Sequence, residues 1–265
     1  MILSSASPVG LVLCLATAVA YALQAVAGSR QDTRLARPSL LVAWLLHGAA
    51  LAWSMLGGTP HFGFGPAISI TAWLVLTVYL VESQVYPLLN ARWALALLGA
   101  CAVLLALLFP GKPLHVSASA WLPLHLALGI ASYGLFAAAV VHAWLMMRSE
   151  RQMRMAETPS SGIPLLTMER LTFRFVTAGF VLLTATLLAG WLFGETLYGH
   201  AWKWDHKTVF SLLAWLVFAT LLLGRSRFGW RGRTAVRVLY MGSLLLLMAY
   251  VGSRFVLEVI LVRPS

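Results

Sequence analysis

The sequence predicts an all-α protein: a polytopic membrane helix bundle of about eight transmembrane helices, with both termini on the outer face. Three observations carry that expectation. Of 265 residues, 60% are hydrophobic and the mean hydropathy is +0.85, more apolar side chain than a water-soluble fold keeps off its surface. Apolar runs recur along the chain, each close to the roughly 20 residues that cross a hydrocarbon core. The Lys and Arg residues between those runs crowd into alternate connections, the mark of loops held on one side of a membrane.

The runs fall near 9–28, 39–57, 64–81, 91–109, 119–147, 171–193, 207–223 and 236–258. They are continuous, without the period-2 alternation of a barrel strand, so helices are expected throughout. No basic residue precedes the first run, which is long for a signal-peptide core; although AVAG at 25–28 has the look of a cleavage site, it is read as a retained span. Cys14 and Cys101 fall near the middle of the first and fourth runs. Neither belongs to a CxxC or CxxCH motif, so both are read as small apolar side chains in packed helices.

Fourteen arginines (Arg30, Arg34, Arg37, Arg92, Arg148, Arg151, Arg154, Arg170, Arg174, Arg225, Arg227, Arg231, Arg233 and Arg237) flank the connections on one side. The other five cations, Lys112, Lys203, Lys207, Arg254 and Arg263, lie opposite. That bias puts both termini of a multi-pass protein on the outer face, which is the periplasmic side if the membrane is a Gram-negative inner membrane. The net charge of +11 is then mostly a topology signal with attraction to anionic membrane lipids, and nucleic acid is excluded as a partner.

There is no internal repeat and no separate soluble segment, so residues 1–265 read as a single transmembrane domain. The longest connection, 148–170, holds the linker-like TPSSGIP at 158–164, where Pro and Gly preclude a continuous helix. The GWRGR run at 229–233 reads as a basic inner anchor with an interfacial tryptophan.

Ionisable groups at membrane depth are costly, and they mark function or a satisfied partner. His47 sits midway along the second span and His142 toward the inner end of the fifth; both are read as neutral imidazoles bonded to neighbouring helices. His125 lies about a turn and a half into the fifth span, and His206 opens the seventh from the same side. Beside them stands GHAWKWDHKT at 199–208, where a chain with only 10% charged residues concentrates its polar chemistry. Taken singly, Asp205 reads as a helix cap, Trp202 and Trp204 as interfacial belt residues, and Lys203 and Lys207 as snorkelling cations. Taken together, flat aromatic faces, cations that meet carboxylates and paired imidazoles suit a planar, apolar, dianionic macrocycle whose iron takes ligands on opposite sides.

YGHAWKWD at 198–205 resembles the tryptophan-rich WGxxWxWD signature of the cytochrome c assembly proteins of CcmC and CcsA type, with Tyr198 in place of the first tryptophan. SLLAWLVF at 211–218 is similar to the span after that signature, and LHLALGIASYG at 124–134 to the family's histidine-bearing segment. The resemblance is best over 120–260, the expected haem-handling core. IPLLTMER, GWRGR and AYVGSRF are most similar to the compact eight-span YpjD/HemX-like branch. Two departures stand out. His206, Lys207 and Thr208 replace the usual Pro-Lys-Glu-Thr after the signature, and the last span offers Arg254 where the family has its second outer histidine. His206 as replacement ligand, a single-histidine site, and loss of stable binding all stay open.

The resemblance implies a holder of haem b at the outer face, not an enzyme, working in cytochrome c assembly or haem management with haem, maturation components or an apocytochrome as partners. In that reading His125 and His206 are the axial ligands, Trp202 and Trp204 cover ring faces, and Tyr198 packs at an edge. Lys203, Lys207 or Arg254 meets the propionates, and Asp205 caps the seventh span or orients an imidazole. Two alternatives stand beside it: a small-molecule transporter with a path through His47 and His142, and a regulatory module that docks an enzyme of tetrapyrrole synthesis through the 148–170 loop.

Overall fold

The computed structural model describes residues 7–28, 33–57, 61–85, 92–113, 122–155, 164–194 and 204–256. It is a polytopic helical protein. Among the described residues seven helices are long and apolar enough to cross a membrane, and another, Arg92–Leu108, is a shorter apolar helix of 17 residues. The chain divides into two compact units, Met1–Leu114 with Glu258–Ser265, and His115–Leu257.

The first unit holds α1 (Pro8–Gly28), α2 (Thr33–Leu56), α3 (Phe64–Val85) and α4 (Arg92–Leu108). Apolar side chains gain little by leaving lipid for a neighbouring helix, so close backbone approach and interhelical hydrogen bonds must do the joining. Both are present. Tyr21 of α1 lies against Gly99 of α4, where any Cβ would stand 2.9 Å from the ring. Trp44 and Trp73 stack at 5.2 Å between α2 and α3; the Trp73 indole donates to the Trp44 carbonyl at 3.1 Å, and that of Trp44 to Thr77 Oγ1 at 2.8 Å. A two-residue antiparallel pairing of β1 (His61–Phe62) with β2 (Lys112–Pro113) ties the connections that follow α2 and α4. Gly111 makes it feasible: its φ of +81° is one L side chains rarely adopt, and a Cβ would strike the Phe62 backbone at 2.5 Å.

The second unit holds α5 (Leu122–Arg154), α6 (Leu165–Leu192), α7 (His206–Phe228) and α8 (Gly232–Leu247). After α8 the chain makes a π-helical turn over Met248–Gly252 and a last turn, Ser253–Phe255. One layer joins all four helices. Phe136 of α5 stacks on Phe218 of α7 at 3.8 Å with the rings 8° from parallel; Gly179 of α6 backs the Phe136 ring at 3.2 Å, and Gly242 of α8 faces the Phe218 ring at 2.7 Å, both measured from an ideal Cβ. Two stacked rings between two bare glycines let the backbones close in.

At roughly 1.5 Å per residue, the 33 residues of α5 span about 50 Å, well beyond a hydrocarbon core of about 30 Å. Its surplus is charged. Glu150 accepts from Arg154 at 2.5 Å, one turn on, and lies 3.8 Å from Arg233. Glu169, near the start of α6, pairs with Arg225 and lies 3.7 Å from Arg231. The acids at the ends of α5 and α6 thus hold the arginines of the turn between α7 and α8. That turn is closed by Gly229, left-handed at φ +64°, and by Trp230, whose N–H donates to the Gly224 carbonyl at 3.1 Å while its indole covers Gly224. The tryptophan of the GWRGR run is half-buried on the turn itself.

Candidate functional site

The charged lattice marks one end of the second unit. At the opposite end α5 and α7 begin and α8 finishes, and there the residues singled out in the sequence converge. His125 stands eleven residues before Phe136, and His206 twelve before Phe218. Since those two rings stack, the histidines lie at nearly the same level, about 17 and 18 Å from the stack. Tyr133 and Leu246 give a second measure: the Tyr133 hydroxyl donates to the Leu246 carbonyl at 2.5 Å, and His125 and Arg254 each lie eight residues beyond that bond on antiparallel helices.

Asp205 sets the start of α7. With an extended backbone (φ −98°, ψ 170°), it places its carboxylate to accept the Thr208 N–H at 2.9 Å. Partial burial pushes the carboxyl up, but the Thr208 backbone N–H and hydroxyl and the charges of Lys207 and His206 outweigh it, leaving Asp205 below the ordinary aspartate value. His206 is the first helical residue and is exposed. Trp204, just before the cap, is 74% exposed, a large aromatic face at the end of a helix bundle.

Lys207 and Arg254 are brought near enough for their positive charges to act on each other. Arg254 arrives there through the π-helical turn. The helix widens just beyond the Leu246 carbonyl that Tyr133 takes, and the Ser253 hydroxyl bonds the carbonyls of Ala249 and Tyr250 at 3.1 and 2.9 Å. The widened turn offsets every later side chain around the helix. Arg254 ends with its guanidinium carbon 5.9 Å from the Tyr250 ring centre and its Nε buried with no hydrogen-bond acceptor among the described residues. Two cations whose charges act on each other, one with a buried N–H that has no acceptor among the described residues and the other also facing the charge of Asp205, are chemically suited to an anion.

Tyr198, Trp202 and Lys203, three of the nine residues expected at the site, lie outside the described residues. The described six are Trp204, Asp205, His206 and Lys207 at the head of α7, His125 on α5 and Arg254 after α8. Among the described residues no group of three or more His, Cys, Asp or Glu side chains is placed to hold a bare metal ion. His142 is buried, with Phe175 of α6 5.3 Å from its ring. His47 is buried in the first unit between Tyr21 and Ser69. Sequence reading missed that chain of partners because nothing in its spacing joins residues 26 and 22 positions from the histidine.

Relatives extend over most of the chain. It is 29% identical over 240 residues to the inner membrane protein YpjD of Escherichia coli strain K12, covering 86% of this chain and 88% of that one. It is 31% identical over 264 residues to an uncharacterised 28.8 kDa protein of Azospirillum brasilense, covering 94% and 95%. The cytochrome c biogenesis protein CcsA of Synechococcus strain CC9605 shares 25% over 257 residues, 84% of each chain. No solved structure matches. The model of the cytochrome C assembly protein family matches residues 32–261, and the chain belongs to that family.

Proposed function

We propose that this protein is a haem-handling component of cytochrome c assembly or haem management in the bacterial inner membrane, with both termini outward and haem b held at the end where α5 and α7 begin. The observation that carries the reading is the juxtaposition of Lys207 and Arg254 beside the two histidine-bearing helix starts. Like charges at the edge of a low-dielectric bundle repel, and an anion between them turns that cost into attraction. A haem carries two propionates on one edge of a flat apolar ring, so it fits paired cations flanked by exposed tryptophan.

In this reading His125 supplies one axial ligand and His206 the other, Trp204 and Trp202 cover the ring, and Tyr198 lies at its edge. Lys207 and Arg254, with Lys203, take the propionates. Asp205 holds the first turn of α7 in place, and with it His206. Bound haem supplies an iron that accepts two imidazoles; the chain's part is to bind, orient and release it rather than to make or break a bond. Haem, an apocytochrome or other maturation components, and anionic lipids are the partners this role calls for.

The test is spectroscopic. Protein purified in detergent from haem-replete cells should show a Soret band, give the b-type pyridine haemochrome spectrum, and lose most of that absorbance in His125→Ala. A colourless protein with no spectral response to added hemin overturns the proposal.

A further inference from the structure

The first unit contains a cavity of about 250 Å³ at the end where α1 and α3 begin, lined by Trp53, Pro66, Pro110 and Leu107, with His47 and Ser69 in its wall. A cavity of about 150 Å³ accommodates a benzene ring. The space here suits one substituted ring and is too small for a four-ring macrocycle. No Asp, Glu, Lys or Arg is among the described lining residues.

Its wall carries a buried three-residue polar chain. The Tyr21 hydroxyl meets His47 Nδ1 at 3.1 Å and Ser69 Oγ meets His47 Nε2 at 2.8 Å, with all three residues at 1% exposure or less. A neutral imidazole has one N–H and one bare nitrogen, so one end of the chain must point its hydroxyl hydrogen elsewhere. If Nδ1 carries the proton, the Tyr21 hydrogen is stranded at a fully buried position closed by Gly99. If Nε2 carries it, Tyr21 donates to Nδ1, Nε2 donates to Ser69, and the Ser69 hydrogen faces the cavity that Ser69 lines. A stranded donor costs most where nothing can reach it, which selects the second arrangement. Ser69 is thereby a donor aimed at whatever fills the space.

Of the other polar lining residues, His61 has an interaction of its own and Cys14 is a weak donor. The Trp53 indole donates to Ser7 Oγ at 2.9 Å and is wedged against Gly57, where a Cβ would stand 2.8 Å from the ring, so it presents a fixed flat face. Ser54 donates to the Leu51 carbonyl at 2.7 Å, and the two prolines have no N–H. The cavity therefore selects an uncharged, flat, single-ring molecule bearing a hydrogen-bond acceptor. We propose that it binds a lipophilic ring carbonyl compound, with the chemistry of an isoprenoid quinone headgroup, through the Ser69 hydroxyl. This site lies wholly in the first unit and does not depend on haem being bound.

The test is equilibrium binding of a tritiated decyl-tailed benzoquinone to the full chain in lipid nanodiscs. Saturable binding near one per chain is expected. Ser69→Ala should weaken it about tenfold, the worth of one hydrogen bond, Ser69→Thr should retain it, and Ala50→Phe, which fills the cavity, should abolish it. Far-ultraviolet circular dichroism and the response to hemin should stay at wild-type levels in each, separating loss of this site from loss of the fold or of the haem site. Absence of saturable binding, equal binding by wild type and Ser69→Ala, or equal uptake of decylbenzene, which has no carbonyl, overturns the proposal.

Discussion

Phe136 and Phe218 stack face to face at 3.8 Å, and this one contact sets the heights of both candidate axial histidines. Each ring is fixed by a glycine on a third or fourth helix, so neither α5 nor α7 can slide along the other without unseating a ring. The histidines stand at the ends of levers eleven and twelve residues long. What aligns them is far below them.

Phe218→Ala should therefore act at a distance. Removing a fully buried phenylalanine from a well-packed layer costs about 3–5 kcal/mol in soluble proteins. Loss of stability in detergent, measured by thermal unfolding, should be accompanied by weaker hemin affinity although no ligand has been touched. Phe218→Leu should lose less of both.

The paired cations make a sharper forecast. Lys207→Gln and Arg254→Gln each remove a charge-assisted contact worth about 1.5–3 kcal/mol to a bound carboxylate, or roughly ten- to a hundredfold in hemin affinity. Stability without hemin should be unchanged or higher in Arg254→Gln, because repulsion is relieved, whereas Lys207→Gln also removes a charge that favours the Asp205 carboxylate. Soret titration beside thermal unfolding checks both. Parallel falls in affinity and stability would mark the pair as structural.

Among the described residues every expected apolar run is a helix, seven of them long enough to cross a membrane and Arg92–Leu108 shorter, and they were legible because bilayer thickness dictates the length of an apolar run. Where helices stop was less so. The apolar run expected at 119–147 belongs to a helix that continues to Arg154, and that expected from 171 begins at Leu165; hydropathy marks where lipid ends, whereas the (i, i+4) pair Glu150–Arg154 carries the helix on into water. At the site, the Asp205 cap was readable because its partner Thr208 is three residues away. The approach of Arg254 to Lys207 was not, since it lies beyond a π-helical turn next to the Leu246 carbonyl, which Tyr133 takes from 113 residues away. The His47 chain is hidden for the same reason.

Asp205 predicts a pH dependence. Its carboxyl titrates below the ordinary value of 3.8, so the cap's electrostatic contribution is present above that value and is lost as pH falls through the depressed one. Asp205→Ala should cost about 1 kcal/mol at neutral pH, in the range of a lost N-cap. Asp205→Asn keeps an acceptor without a titrating proton, so the stability difference between wild type and Asn should shrink as pH drops below about 3.8. Thermal unfolding of the three proteins from pH 7 to pH 3 supplies the measurement; a constant difference would show that the carboxylate charge is not what holds the turn.

The two acids at the far end of the second unit should behave unequally. Glu150 is paired with Arg154 and Arg233, both more than half exposed, and water and salt screen such pairs to below about 1 kcal/mol. Glu169 is only 12% exposed; its partner Arg225 is 29% exposed and has its guanidinium carbon 3.9 Å from the Phe173 ring centre. Glu169→Gln leaves that arginine charged and half-buried without its carboxylate, at a cost of about 1–3 kcal/mol, while Glu150→Gln should stay within about 0.5 kcal/mol. The double variant Glu169→Gln with Arg225→Gln should recover part of the loss, because no unmatched charge is left at the interface. A double variant as unstable as the sum of its singles would mean the two side chains act independently, and would assign the clamp on the turn between α7 and α8 to Trp230 and Gly229 alone.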